Sequence, residues 1–414
     1  MKHKLPGYAM LAALIGGLSM VSPFSIDTFF PAFHSMEKAL NVDAWKLQQV
    51  ITAYMVPFAF ASLVHGPLSD AIGRRPVMIW GMVLYTVGSV ACTLAPNYEM
   101  LIASRVLQGA TAGVGVVIGR AIIRDLYEGA SAQRLMNLTT MIFGLAPAVA
   151  PIIGGWVHVA FGWRAVFAVM VVCGIVFSLG SWWKLPETHP PEARIPFSAR
   201  NLVATSVTVL RHPEFLMLSL AAAINFCSIA CFIGSAPAII EKHWGMSETS
   251  YAALFLPVIT GIMLGATISR RIAGRMDLTR QVHMGLIITF IASALRVLLH
   301  FGLDAVPIPL QQALLFLSAI GAQFAFPVLT LRMLDLFPAA RGTAASAQSF
   351  VALLITAFTL GIVSPKVLPH LEWIAWTSLV LTSLASLCWH LARRWHRPPG
   401  VPPDIPRHLS AGAQ

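Results

Sequence analysis

The sequence predicts an all-α membrane protein of twelve transmembrane helices in two six-helix, pseudo-symmetric halves. Three observations carry that expectation. Apolar runs of membrane-crossing length recur along nearly the whole chain, one long polar interruption divides them six and six, and basic residues crowd one side of the resulting topology. With 57% hydrophobic and 11% charged residues in 414, the composition is that of a chain whose solvent is lipid.

A bilayer core about 30 Å thick takes roughly 20 apolar residues per helical crossing. The runs lie near 8–33, 45–66, 76–95, 99–119, 137–160, 163–183, 213–240, 249–269, 282–302, 309–331, 343–365 and 371–392, numbered here as spans 1 to 12. Lys2 and Lys4 before span 1 could open a secretory signal, but the apolar stretch is too long and no small-x-small cleavage site follows. A retained first helix with the amino terminus inside is the expectation. Of 28 Lys and Arg, 21 then fall on the inner side or at the termini, five on the outer side, and Arg105 and Arg296 within spans. The positive-inside rule makes the crowded side cytoplasmic, so the net charge of +11 reports topology and calls for no nucleic acid. All five cysteines lie in apolar spans, where they act as small hydrophobes, and neither disulfide nor metal is expected.

The stretch from Lys184 to Phe215, KLPETHPPEARIPFSARNLVATSVTVLRHPEF, is read as a cytoplasmic linker. It gives an amino-terminal half 1–183, a linker 184–212, a carboxyl-terminal half 213–392 and a cytoplasmic tail 393–414. The halves rhyme weakly: GPLSDAIGRR after span 2 corresponds to GATISRRIAGR after span 8. Two such repeats with a substrate site between them are a recognised transporter plan.

Four stretches carry chemistry. In SIDTFFPAF (25–33), Asp27 puts a carboxylate inside an apolar run, where a charge is expensive and faces the bundle interior. Arg105 in span 4 lies at a similar depth, about 9 Å from the outer end at 1.5 Å per residue, and both are expected to face the central cavity of the amino-terminal half. The rival reading of Arg105 is a static structural partner. In the loop after span 2, Gly66, Gly73 and the pair Arg74 and Arg75 surround Asp70, an acid in a loop otherwise selected for positive charge. Glycines permit a tight turn and Asp70 could sit at a helix amino terminus, so the loop could latch one conformation. A plain basic anchor is the alternative for the two arginines. In span 5, Pro147 and Pro151 each remove a backbone donor, and Gly144, Gly154 and Gly155 allow close helix approach. Arg296, near the outer end of span 9, is expected to snorkel, and His65, His158, His283 and His300 to be interfacial.

These residues resemble the signatures of the major facilitator superfamily. The 66–76 loop is similar to its G-x-L-a-D-r-x-G-r-r motif, with Ala71 in place of the usual basic residue. RVLQG from Arg105 resembles the R-x-x-Q-G motif of proton-linked members. GLAPAVAPIIGGW from Gly144 resembles the antiporter motif of the twelve-span drug:proton branch, with Ala150 where glycine is usual. Together with SIDTFFPAF the set resembles the bicyclomycin/chloramphenicol resistance (Bcr/CflA) family. The resemblance implies the major facilitator fold, a proton-linked role for the Arg105 motif, and a span 5 that limits proton leakage and shapes the drug pocket. That Asp27 titrates during the transport cycle beside Arg105, and that 66–75 acts as a latch, are expectations from the residues themselves.

Polar and aromatic residues deep in other spans sketch a drug-sized apolar pocket with a few amides: Tyr54, Met55, Met141, Phe143, Asn225, Phe226, Gln323, Phe324, Gln348 and Phe350. For each one singly, ordinary helix packing is the stronger claimant. The functional expectation is export of small organic compounds in exchange for protons across a bacterial inner membrane. The protein would act as a monomer with both termini cytoplasmic, its partners being a small-molecule substrate, protons and the lipid bilayer. No cofactor is expected beyond the proton gradient, and no ATP site is visible. The alternatives are a dedicated exporter of a self-made siderophore or antibiotic, and a proton symporter for uptake. An embedded enzyme is disfavoured, because no paired catalytic His and acid or metal cluster occurs in the spans.

Overall fold

The computed structural model describes residues 7–303 and 306–395. Lys2, Lys4 and the tail from 396 onward lie outside the described residues. Among those described there is no strand, and twelve helices are long and apolar enough to cross a membrane. They are Tyr8–Leu40, Ala44–Ile72, Arg74–Leu94, Tyr98–Leu126, Ser131–Phe161, Trp163–Lys184, Pro213–Gly234, Ala252–Ile272, Leu278–Gly302, Ile308–Asp335, Arg341–Val367 and Leu371–Trp395. The expected number is met, yet several spans outrun the apolar runs that announced them. Span 2, read to 66, continues to Ile72, and span 4, read to 119, continues to Leu126.

Spans 2, 4 and 9 each begin at a side-chain cap. Asp43 accepts a hydrogen bond from the amide of Lys46 (2.8 Å) and starts span 2; Asn97 does the same for Met100 (2.9 Å) and span 4; Asp277 starts span 9 through Arg280 (3.0 Å). Such caps satisfy amides that a helix start leaves orphaned. Between spans 2 and 3 a single residue, Gly73, leaves the helical conformation. Its φ of 106° is open to glycine and costly for other residues.

Span 1 is not one helix. The first helix ends at Asp27, a short 3-10 turn covers Phe30–Ala32, and a second helix runs Phe33–Leu40. The carboxylate that disturbed the apolar pattern therefore sits at a break in the backbone.

The chain divides into two compact units. The first comprises Met1–Ser198 with Ile240–Phe255. In it span 1 packs on span 5, span 2 on span 4 and span 3 on span 6. Phe24 of span 1 packs with Ala146 and Ala150, small residues set among the prolines of span 5. The second comprises Ala199–Ile239 and Leu256–Gln414; span 7 packs on span 12 and span 9 on span 10, around a core that includes Phe215, Leu218, Val282, Leu329, Met333 and Trp389. The stretch expected as one linker is shared: residues to Ser198 group with the first unit, and a helix, Ala199–Arg211, groups with the second.

Candidate functional site

Asp27 is 6% exposed at the end of its helix, where the backbone carbonyls point and an anion gains nothing from the helix dipole. Arg105 is fully enclosed, with 0% exposure. Its Nε donates to the Val50 carbonyl (3.2 Å) and one terminal nitrogen donates to the Ser25 carbonyl (3.1 Å) and to Gln108 Oε1 (2.6 Å). Its guanidinium carbon lies 4.3 Å from the Tyr54 ring centroid and 4.8 Å from that of Phe29. Ring faces and carbonyl dipoles thus take the place of a counter-ion. Among the described residues no ion pair joins Arg105 to Asp27, and the second terminal nitrogen of Arg105 has no partner. The link between the two is indirect: Arg105 holds the carbonyl of Ser25, two residues before Asp27.

The network extends to residues the sequence did not single out. Gln108 donates to Ser89 Oγ (2.8 Å), and the hydroxyls of Ser25 and Tyr85 are 2.5 Å apart. Gln108 could have been found, as the Q of RVLQG. Ser25, Tyr85 and Ser89 could not, because one hydroxyl in an apolar helix gives no periodic signal. Gly109 has a steric reason: a Cβ there would run into the backbone carbonyl of Tyr54. That contact brings span 4 near enough to span 2 for Arg105 to lie over the Tyr54 ring.

In span 5 the three glycines do different things. A Cβ on Gly154 would collide with the carbonyl oxygen of Thr28, beside Asp27, and one on Gly155 would lie 2.7 Å from the carbonyl oxygen of Glu248. Gly144 has nothing within 4 Å, so the close packing expected of it is absent. Pro147 and Pro151 lie inside a continuous helix, Gly129–Phe161.

The latch residues assemble around Arg74. Its guanidinium meets the carboxylates of Asp70 and Asp125 (3.2 Å to the latter) and the Ser69 hydroxyl (2.6 Å), and its amide donates to Glu187 of the linker (3.0 Å). Thr188 donates to Asp125 (2.8 Å), and Arg75 donates to the Trp182 carbonyl (2.6 Å). Asp70 is not at a helix amino terminus, as the loop reading allowed. It lies in the last turn of span 2, where the dipole opposes an anion, and the Arg74 side chain compensates. Gly66 is in ordinary contact only, 3.8 Å from Val117. Asp125, Glu187 and Thr188 were missed because their relation to Asp70 is tertiary. A cavity of about 240 Å³ beside Arg75, lined also by Pro76, Ile79, Trp80, Trp182 and Glu187, adjoins this latch and not Asp27.

Other expectations need correction. Arg296 does not snorkel: it is 2% exposed, donates to Ser318 (3.2 Å) and Ser378 (3.4 Å), and lies 4.3 Å from the Phe232 ring centroid. His65 is buried against the Ala110 carbonyl (3.1 Å) and His158 is buried beside Ser35, so both imidazoles are enclosed by protein. Of the residues suggested for a substrate pocket, Tyr54 is buried with its hydroxyl on the Ser22 carbonyl (3.0 Å), and Met55, Asn225, Phe324 and Gln348 are also buried. Gln348 donates to Thr330 (2.8 Å). Gln323 and Phe350 are half-buried, whereas Met141, Phe143 and Phe226 are exposed.

The family model of the Major Facilitator Superfamily matches residues 15–360. The chain is 32% identical over 286 residues, 69% of its length and 71% of the relative's, to the uncharacterized MFS-type transporter YdgK of Bacillus subtilis. It is 27% identical over 278 residues, 67% of its length and 70% of the relative's, to a bicyclomycin resistance protein homolog of Haemophilus influenzae. The crystal structure of the human organic anion transporter MFSD10 superposes with a TM-score of 0.70 over 94% of this chain and 100% of that one; at 15% identity this is a likeness of fold. The structure has twelve spans and brings together the residues of the 66–76 loop and of RVLQG, and the chain belongs to the Major Facilitator Superfamily, in the branch of the bicyclomycin and chloramphenicol resistance proteins.

Proposed function

We propose that the protein exports small organic compounds, antibiotics among them, in exchange for protons across the bacterial inner membrane. It would work as a monomer with both termini cytoplasmic and the proton gradient as its only energy source. The observation that carries this reading is Asp27: a carboxylate buried at a helix break, without a paired cation among the described residues, one short step along the backbone from the enclosed Arg105. A carboxylate so placed is stabilised by whatever positive charge reaches it. A proton and a substrate can therefore compete for one state of the protein, and that competition is the basis of exchange. The names of relatives support the cargo: bicyclomycin resistance, multidrug resistance and chloramphenicol resistance.

The energetics suffice. One charge crossing about 150 mV releases roughly 3.5 kcal/mol, enough for a gradient of about 300-fold in a neutral substrate. In this reading Asp27 and Arg105 couple the proton, the Asp70–Arg74–Asp125 cluster holds one conformation, and Gly154 and Gly155 of span 5 help seal the bundle. Met141, Phe143 and Phe226, exposed aromatic and thioether surface, suit contact with substrate better than Tyr54, whose hydroxyl and ring are both committed. The test is a drug-susceptibility panel in a host stripped of its own pumps, with and without a protonophore. Resistance to at least one compound that the protonophore abolishes is the expected result. Accumulation of labelled compound driven inward by the gradient would replace export by uptake.

A further inference from the structure

The connection between spans 7 and 8 groups with the first unit over Ile240–Phe255, although the helices it joins run on into the second. Two sets of contacts hold it there. Glu248 engages the outer end of span 5 twice. Its carboxylate lies 3.3 Å from His158 Nε2, which is 3.0 Å from the Ser35 hydroxyl. Its backbone carbonyl rests on Gly155, where any Cβ would come within 2.7 Å. Gly155 and His158 are three residues apart and share a helix face, so main chain and side chain of one loop residue read one face of span 5. The second contact is Tyr251, fully buried, whose hydroxyl lies 3.1 Å from the Phe30 carbonyl and 3.3 Å from the Glu241 carboxylate. Phe30 opens the 3-10 turn that follows the break at Asp27, and its ring packs 6.5 Å from that of Phe255.

We propose that His158 and Glu248, seconded by Tyr251 on Phe30, form an outer clasp that must open in each transport cycle, and that they are positioning residues for transport. A transporter built of two repeats works by moving one against the other. A segment continuous with one repeat and clasped to the other must release or be strained, and these contacts suit release. Each is a polar contact of the kind that water can replace, and Glu248 is one-third exposed. The clasp lies next to the proton site: Gly154 touches Thr28 and Tyr251 touches Phe30, both within three residues of Asp27. A change at the break is thereby felt where the loop is held. Glu37, Glu241 and Glu248 share this region with the imidazoles of His34 and His158, and Lys242 and His243 belong to the same segment as Glu241. Burial raises the Glu241 carboxyl above its ordinary range, the Tyr251 hydroxyl opposes that, and Glu248 adds to it. The inference rests on transport by alternating access and is independent of export against uptake.

Two measurements test it. In a background without the five native cysteines, His158→Cys with Glu248→Cys is bridged by a short, reducible bifunctional thiol reagent. Bridging should abolish transport, leave equilibrium binding of substrate within a few-fold, and be reversed by reductant; full transport by bridged protein overturns the proposal. Independently of any known substrate, Ser35→Cys is labelled on intact cells by a membrane-impermeant maleimide. Glu248→Gln should speed that labelling several-fold and Glu248→Asp should return it toward the parent rate. Labelling that ignores Glu248→Gln overturns the clasp even where no transported compound has been found.

Discussion

Asp27 and Arg105 are the two charges that the sequence exposes most plainly, and they are held in opposite ways. Arg105 is held by two carbonyls, an amide oxygen and two ring faces, with one terminal nitrogen left over; Asp27 is enclosed at a helix end and joined by no ion pair among the described residues. Replacing Arg105 by Met would strand Gln108 Oε1 and the Ser25 carbonyl at the helix end, and would remove the second donor to the Val50 carbonyl, which keeps its helical bond. A buried acceptor left unpaired costs about 1–3 kcal/mol, so a clear loss of thermal stability in detergent is expected. Arg105→Lys should recover only part of it, since an ammonium cannot lie flat on two rings while reaching three acceptors. Asp27→Asn should behave differently, with stability kept and coupling lost. If protons and substrate compete at Asp27, binding by the parent protein tightens as pH rises, since fewer protons compete, while the Asn variant is flat over about pH 5.5 to 8.5. Equilibrium binding by both proteins across that range decides the matter; a mutant that keeps the parent's pH dependence removes Asp27 from the coupling step.

At the level of the element, span 5 shows that glycines in one motif are not equivalent. Gly154 is pressed against the Thr28 carbonyl and Gly144 faces open space. Gly154→Ala forces two backbones apart, and overpacking of that kind costs about 1–3 kcal/mol. Gly154→Leu should go further and remove folded protein, whereas Gly144→Ala should be tolerated. Side-by-side melting curves of the purified variants measure the contrast. Equal behaviour of Gly144 and Gly154 variants would mean that span 5 does not meet span 1 as described. Both glycines are visible in GLAPAVAPIIGGW. Which of them touches a neighbour is not, because the apolar pattern around the helix is too uniform to mark the packed face.

For the whole molecule, the latch joins the ends of spans 2, 3 and 4 to the linker through Asp70, Arg74, Asp125 and Glu187. In the proposed reading this cluster holds one arrangement of helices and lies outside the substrate site. Asp70→Asn is expected to slow or abolish transport while equilibrium binding stays within a few-fold, and Glu187→Gln should show a milder form of the same split. Counterflow rates set against binding isotherms test this, and a large loss of affinity in folded protein would assign the loop to the binding site instead.

Membrane residence, the number of spans, the six-and-six division and the motifs were written in the sequence, since lipid imposes a length and a polarity on each crossing that few other constraints can mimic. The signal ended where that constraint ended. The starts of spans 2, 4 and 9 were set by caps at Asp43, Asn97 and Asp277, and the extension of spans 2 and 4 to Ile72 and Leu126 was not legible in the apolar pattern. The break that puts Asp27 at a helix terminus, the burial of Arg296, His65 and His158, and the seat of Glu248 on Gly155 came from tertiary structure alone. In an apolar solvent every face of a helix is hydrophobic, so sequence periodicity cannot say which face meets a neighbour. Close backbone approach and the pairing of scattered polar groups decide it.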